Sequence, residues 1–200
     1  MKNKILLPLL LASLVFIGIS CPFKRSAPTP TTQEKTVEEF KVTDQQEKIL
    51  SDEFSRAQSY ARFWSTDIRL ASFEITYENE LKNAPDTYVF ISNKEPFYYW
   101  TVKFNRTEGT FYRSIIPKED YGKAYPALKD RFWKISADAA LLTAEKNGGN
   151  DFRKKHEKFK VSQILGTDPK TNFITWFITY ESGTDKLEVI IDASTGTINK

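Results

Sequence analysis

Two segments of the chain alternate apolar and polar residues in matching register. The pattern Trp-x-Val-x-Phe at 100–104 recurs as Trp-x-Ile-x-Tyr at 176–180, an offset of 76 residues. Ile115-Ile116 recurs as Ile190-Ile191 at an offset of 75, and a polar segment containing glycine separates the two blocks in each case. Such alternation predicts half-buried strands, so each segment is predicted to be a β-hairpin.

Further elements are predicted upstream of each hairpin. Residues 87–92 and 159–165 are short strand candidates, and Asp44–Trp64 carries an approximate apolar stripe that predicts a helix. A second helix is expected to begin at Ser136, which suits an N-cap, and to end at Gly148-Gly149. Each half of the folded part therefore has a helix followed by three strands.

The segment after the first helix allows two interpretations. Phe73, Ile75 and Tyr77 alternate with more polar residues across Arg69–Glu78, which predicts a strand. The alternative is that residues 66–83 correspond to the second helix, because Arg-Phe-Trp precedes both segments, at 62–64 and at 131–133. We prefer the strand, since aromatic and β-branched residues favour a pleated surface.

These elements predict an α+β fold built from two tandem small modules, each a helix packed on an antiparallel sheet. Residues 44–122 are assigned to the first module, which is the degenerate copy. Residues 123–200 are assigned to the second module.

The N-terminus has the layout of a secretory signal peptide. Lys2 and Lys4 precede an apolar run from Ile5 to Ile19, which is shorter than the roughly 20 residues that span a bilayer. Cys21, the single cysteine, follows this run, and the pattern resembles the lipobox of bacterial lipoproteins, although Gly18 stands where Leu is usual. The resemblance implies that residues 1–20 are removed and that Cys21 is acylated and anchors the chain in a lipid bilayer.

Residues 21–43 are predicted to be a tether between the lipid and the folded part. They contain three prolines, many threonines and few apolar residues. Polar segments rich in proline favour extended conformations over packed ones. The folded part is therefore expected to begin near Asp44.

The C-terminal module resembles the PepSY domain over residues 135–200. The likeness rests on the helix sequence SADAALLTAEKNGG, the strand sequence WFITY and the closing LEVIIDASTG. PepSY-like domains occur in propeptides of thermolysin-type proteases and in envelope proteins, where they are thought to bind or inhibit peptidases. The resemblance implies a PepSY or cystatin-like helix-on-sheet fold and a peptidase as partner. The first copy departs from it, with Pro117 at the position of Asp192.

Charge and residue inventory narrow the possible chemistry. The chain has 29 basic and 26 acidic residues, and two of the basic ones lie in the leader, so it lacks the excess that nucleic-acid binding requires. It contains no G-x-S-x-G, phosphate-loop or H-E-x-x-H motif, and His156 is its single histidine. We therefore expect no enzyme activity, catalytic residue, metal site or cofactor.

Alternation also assigns strand faces. The side carrying Trp100 and Trp176 is predicted to pack on the helices. The opposite side carries aromatic residues among threonines, and these candidates are Phe97, Tyr99, Phe173 and Phe177. Two interpretations remain: these side chains fill an internal interface, or they line a concave protein-binding surface, because rigid aromatics bury a large area at low entropic cost.

A basic segment, DFRKKHEKFK at 151–160, is the second candidate region. Its patch comprises Arg153, Lys154, Lys155 and Lys158. Such a run is either a solvated face or a surface that attracts anionic lipid headgroups.

The sequence as a whole predicts a lipoprotein of the bacterial cell envelope, in the inner or the outer membrane. Its expected role is non-catalytic protein binding, with a secreted or envelope protein such as a peptidase as the partner that it modulates or inhibits. The alternative is a structural or surface-exposed lipoprotein that binds host, cell-wall or lipid components and has no enzyme target.

Replacing the acylated residue tests the anchor. Cys21→Ala is expected to release the processed protein from the membrane fraction, because two or three acyl chains give anchoring that the polypeptide does not supply. Fractionation followed by immunoblotting measures the distribution. A processed Cys21→Ala protein that stays in the membrane fraction would contradict the lipid anchor.

Overall fold

The structure combines helices with an antiparallel sheet, as α+β proteins do. The computed structural model describes Phe40, residues 44–105 and residues 107–199, with helical side chains described from Asp52 onward. All of these residues belong to one compact unit, Glu34–Lys200. The predicted leader, Cys21 and most of the tether lie outside the described residues.

The element bounds agree closely with the sequence pattern. The helices are α1 (Asp44–Trp64), α2 (Ala137–Ala144) and α3 (Asn150–Lys155). The strands are β1 (Arg69–Glu78), β2 (Asp86–Ile91), β3 (Tyr98–Asn105), β4 (Thr110–Pro117), β5 (Lys160–Thr167), β6 (Ile174–Ser182) and β7 (Asp185–Asp192). The strand interpretation of β1 is confirmed, and a helix over residues 66–83 is excluded. None of the helices in the described part is long and apolar enough to cross a membrane.

The seven strands form one antiparallel sheet in the order β4-β3-β2-β1-β5-β6-β7. β1 is central, with Phe73 opposite Tyr88 of β2 on one side and opposite Leu165 of β5 on the other. The β1–β5 ladder joins the regions 44–122 and 123–200 edge to edge. The α+β class and the antiparallel pairing are confirmed, but the two regions share a sheet instead of each having its own.

The strand order shows that the two hairpins matched in sequence do not occupy equivalent places in the sheet. β2-β3-β4 and β5-β6-β7 run outward from β1 towards opposite edges, while β3 and β6 are parallel and turn the same side to the helices. The two hairpins that the sequence matched are therefore of opposite hand, and no rotation superposes them. By strand order and direction, β1-β2-β3 corresponds instead to β5-β6-β7 across the β1–β5 ladder, and β4 has no counterpart.

The side of the sheet beneath the helices, the helical face, carries the main core. Trp176, Tyr180 and Ile178 are almost fully buried there, together with Phe73 and Tyr88. The predicted face is confirmed, because its six matched residues all belong to or pack against this cluster: Trp100, Val102, Phe104, Trp176, Ile178 and Tyr180.

The second helix begins as predicted and ends differently. The Ser136 hydroxyl accepts a hydrogen bond from the Ala139 amide at 3.2 Å, which makes Ser136 the N-cap. Gly148 adopts a φ of 108°, within a wide helical turn over Glu145–Gly149. The chain then re-enters a helix as α3, so the glycine pair bends the helix instead of stopping it.

A buried ion pair fixes this bend against the sheet. Both side chains, Arg153 and Glu145, are almost fully buried, and their ion pair is bidentate. The Tyr180 hydroxyl donates to Glu145 Oε1 at 2.8 Å. Burial first, and the Glu145 charge second, raise the pKa of Tyr180 far above its usual range. The phenol therefore stays a hydrogen-bond donor to the carboxylate.

Gly149 is expected to be essential for this arrangement. A Cβ atom at this position would overlap with the Tyr180 ring and would lie 2.9 Å from Glu145 Oε1. Gly149→Ala should therefore lower the free energy of unfolding by about 1–3 kcal/mol, measured by urea denaturation.

Gly166→Ala is the matched control. Its added Cβ meets Phe177 only at an ordinary 3.6 Å, and alanine in a strand is expected to raise stability slightly. Equal stability of the two variants would show that the contact with Tyr180 carries no constraint.

Candidate functional site

The side of the sheet that points away from the helices, the outer face, is covered by other described residues over one half. Residues 118–129, the cover segment, lie against β1, β2 and β3 through Tyr121, Tyr125 and Ala127. The Tyr125 hydroxyl donates to Glu74, and the Leu128 amide donates to the Leu70 carbonyl at 2.7 Å. These contacts close the first half of the outer face with polypeptide of the same chain.

Tyr99 lies beneath this cover and does not belong to an exposed surface. Its side chain is 1% exposed, and its hydroxyl accepts from the Tyr125 amide at 2.8 Å. The rings of Tyr99 and Tyr121 meet edge to face at 5.1 Å. The assignment of Tyr99 to a partner surface is therefore wrong, and the internal-packing interpretation holds for this residue.

Phe97, two residues earlier, is 76% exposed. The loop before it is held at Asp67, whose carboxylate accepts from the Ser92 hydroxyl, the Ser65 hydroxyl at 2.7 Å and the Asn93 amide at 2.9 Å. The hydrogen bonds from Ser92 and Ser65 hold the pKa of Asp67 well below its usual range. Phe97 therefore projects into solvent from an ordered loop.

The second half of the outer face carries an apolar row without cover from the described residues. Ile164, Phe177 and Ile190 are direct cross-strand partners on β5, β6 and β7, and each is half-buried. Hydroxyl residues flank the row on both sides, with the fully buried Thr175 on one and the half-buried Ser162 and Thr179 on the other. We call this set the outer row.

A pocket of about 420 Å³ lies at the end of the sheet where β6 begins. Phe132 and Phe173, both exposed, contribute aromatic walls, and Lys129 and Arg131 add positive charge. Asp192 also lines the pocket, but its Oδ1 accepts from the Ser194 amide at 2.6 Å and the Thr195 amide at 3.1 Å. Asp192 is thus used in the turn that Gly196 completes.

The four predicted aromatic residues do not form one surface. Phe97 and Phe173 lie at the same end of the sheet, because β3 and β6 are parallel, but four strand spacings, about 19 Å, separate their strands. Only Phe173 and Phe177 belong to the uncovered half. The candidate site is therefore the outer row together with the adjoining end of β6.

Sequence analysis missed Ile164, Ile190 and Phe132. The two isoleucines have the same alternation parity as Phe177 on neighbouring strands, so the pattern contained this signal once β5 and β7 were paired with β6. Phe132 lies in a short 3-10 turn, Asp130–Phe132, where no periodicity marks it.

The predicted basic patch loses one of its members. Arg153 is 4% exposed and belongs to the ion pair with Glu145, so its assignment to a surface patch is wrong. Lys154, Lys155 and Lys158 are exposed, and Lys155 Nζ lies 3.4 Å from Asp185 Oδ2. The patch is thus smaller and partly neutralised.

A metal site and the cleft beside the core are the two other candidates for a functional site. Within residues 44–105 and 107–199, no group of three or more His, Cys, Asp and Glu side chains is arranged to hold a metal ion. A cleft of about 710 Å³ lies between α1 and α2, lined by Phe54, Phe73 and Trp133. The ring centroids of Phe54 and Phe73 lie 5.6 Å and 5.8 Å from that of Trp133, so this part of the lining is the surface of the core. Asp130, Arg131 and Lys134 form a charged part of the same lining.

The two neighbouring aromatic residues should differ sharply in their contribution to stability. Tyr99→Ala is expected to lower the free energy of unfolding by about 3–5 kcal/mol, because it empties a buried site. Phe97→Ala is the control and should change it by less than about 0.5 kcal/mol. Urea denaturation measures both, and similar values would contradict the burial of Tyr99.

Comparisons with known proteins do not extend the assignment. No protein-family model matches the chain, and neither the curated proteins nor the solved structures give a match. Function therefore has to be argued from the surfaces themselves.

Proposed function

We propose that this chain is a lipid-anchored protein of the bacterial envelope whose folded part binds another protein without catalysing a reaction. The observation that carries the proposal is the outer row, Ile164-Phe177-Ile190, which lies on the outer face of the sheet among hydroxyl residues. The lipid anchor at Cys21 rests on the sequence alone.

The covered half of the same face supports this function. There the chain places Tyr121 and Tyr125 over Val89 and Tyr99 and so removes an apolar surface from water. The outer row is an apolar, half-buried part of the same face, with an aromatic residue at its centre and hydroxyl residues beside it. Protein interfaces favour this composition, because the apolar centre contributes most of the binding energy and the polar rim completes the fit.

We propose a peptidase as the class of partner, on the basis of the PepSY resemblance of residues 135–200. The finer architecture belongs to the same proposal: α1-β1-β2-β3 and α2-β5-β6-β7 are two copies of one module, joined through β1 and β5. The matching order and direction of these strands supports a duplication, although the strands that correspond are not those of the two hairpins matched in sequence.

The alternative is a lipoprotein that contacts cell wall, host or lipid and regulates no enzyme. The exposed side chains of Lys154, Lys155 and Lys158 favour it, since each basic residue near an anionic bilayer contributes about 1 kcal/mol. The ion pair of Lys155 with Asp185 weakens this attraction.

An envelope pull-down with the full chain tests the proposal. The unmodified chain is expected to recover a peptidase in stoichiometric amount, identified by mass spectrometry. Phe177→Ser combined with Ile190→Thr should reduce recovery at least tenfold, because the centre of the row is lost. Phe97→Ser, beside β3 in the other half of the sheet, is the matched control and should leave recovery unchanged.

Three outcomes would contradict the proposal or parts of it. Full recovery with the double variant would exclude the outer row as the binding surface. Recovery of cell wall alone, or of no protein, would favour the alternative. Recovery of a protein that is not a peptidase would retain the binding surface and overturn the partner class.

A further inference from the structure

The two edge strands of the sheet, β7 and β4, differ in whether other described residues pair with them. On β7, the Asp192 amide donates to the Thr197 carbonyl at 2.9 Å, and the Asn199 amide donates to the Ile190 carbonyl at 2.8 Å. The end of the described chain therefore pairs with part of that edge, and Asp185, Lys186 and Glu188 place charges along the rest. β4, at the opposite edge, has no such partner among the described residues.

The hydrogen-bond pattern of the β3–β4 hairpin identifies which main-chain groups of β4 are open, that is, directed away from β3. The Lys118 amide donates to the Phe97 carbonyl at 3.0 Å, directly beyond the pair Tyr98–Pro117. Because bonded and non-bonded pairs alternate in an antiparallel ladder, the main-chain groups of Phe111, Arg113 and Ile115 point away from β3. The Asp120 amide donates to the Pro117 carbonyl and closes the row at one end.

The side chains of β4 give this edge little protection. Ile115 is 52% exposed, and Phe111 and Tyr112 are exposed as well. Arg113 is the single charged residue of the strand and Pro117, at its last position, the single proline, whereas exposed edges are normally shielded by several charges, by proline, by bulges or by short length. β4 therefore presents an eight-residue template for another strand.

Helix α1 forms a wall beside the same edge. Arg56, Tyr60 and Phe63 follow one another at helical spacing and lie on one side of α1. Tyr60 stacks on Phe111 at 4.8 Å, and the Arg113 guanidinium lies 5.3 Å from the centre of the Tyr60 ring. Phe63 continues this line and is 86% exposed. An added strand would thus meet a helix side as well as a strand edge.

We propose that the β4 edge binds an extended peptide segment of another protein by strand addition, with an acidic residue opposite Arg113 and apolar residues opposite Phe111 and Ile115. Main-chain hydrogen bonds to the three open residues supply the pairing, and alternate side chains supply the selectivity. This proposal is independent of the outer row, which lies at the other end of the sheet order.

Charge favours such a peptide over a second copy of this chain. The guanidinium groups of Arg56 and Arg113 lie 5.9 Å and 5.8 Å from the centre of the Phe111 ring, and neither has an ion-pair partner in the described part of the chain. A second β4 in antiparallel pairing would add two more arginines at this place. An acidic residue opposite Arg113 instead forms a favourable cross-strand pair.

A designed peptide tests the proposal on the full chain purified in detergent. The probe is a fluorescein-labelled heptapeptide, Thr-Val-Thr-Glu-Thr-Val-Thr, whose Glu and Val side chains share one face. Saturable binding is expected in fluorescence anisotropy. N-methylation of the Glu amide, which faces β4, should weaken binding at least tenfold, because a paired donor is lost. N-methylation of a neighbouring Thr amide, which faces away, is the matched control and should change binding less than about twofold.

A charge exchange tests the predicted pair. The peptide with Lys in place of Glu should bind about fivefold or more weakly to the unmodified chain, and Arg113→Glu should reverse the preference between the two peptides. Arg113→Lys is the conservative control and should keep the preference for Glu.

Amide hydrogen exchange at Phe111, Arg113 and Ile115 identifies any other occupant. These amides are expected to exchange rapidly in the free chain and to become protected when the peptide is added. Protection without peptide, independent of protein concentration, would show that another segment of this chain covers the edge. Protection that rises with protein concentration would show a second copy. Either result, equal binding of the two N-methylated peptides, or absence of saturable binding would overturn the proposal.

Discussion

The pairing of β1 with β5 is the interaction on which the rest of the structure depends. It connects six residue pairs, from Phe73–Leu165 to Glu78–Lys160, at the centre of the sheet. Because side chains alternate with a period of two, a slip of one residue would turn Phe73 and Ile75 to the outer face and bring Glu74 into the core. The apolar side chains of β1 therefore specify this register, and the ladder joins the strands of residues 44–122 to those of residues 123–200 in one sheet.

A seven-stranded sheet with helices on one side leaves a long second face to be covered. The chain covers the first half of that face with residues 118–129, which lie against the sheet through two tyrosines. Among the described residues no corresponding segment covers the second half, where the connection between β5 and β6 is a short turn held by Asp168. The outer row is thus a consequence of the different lengths of the connections on the two sides of the sheet.

Periodicity in the sequence predicted the helices and strands well, but it did not predict which other segments pack against them. Tyr99 and Phe177 occupy the same kind of position in an alternating strand, yet one is buried and the other half-exposed. The difference comes from residues 118–129, an irregular segment whose path no periodic pattern reveals. Arg153 shows the same limit, because the bend at Gly148 brings its partner Glu145 to it, and the sheet places Tyr180, which donates to Glu145, beside the pair. A run of basic residues says nothing about such partners.

β4 is the strand without a counterpart when β1-β2-β3 is matched to β5-β6-β7. Without β4, β3 and β7 would be the two edge strands of the sheet. Its side chains are exposed or half-buried along its whole length, so it contributes little to the core. What it contributes is main-chain pairing for β3, whose Val102 and Phe104 are buried and would otherwise lie at an edge. The same addition moves the open edge outward, to a strand whose Phe111 lies directly against Tyr60 of α1. The free main-chain groups and the helix wall therefore occur together because one strand provides the edge and helps to position the wall.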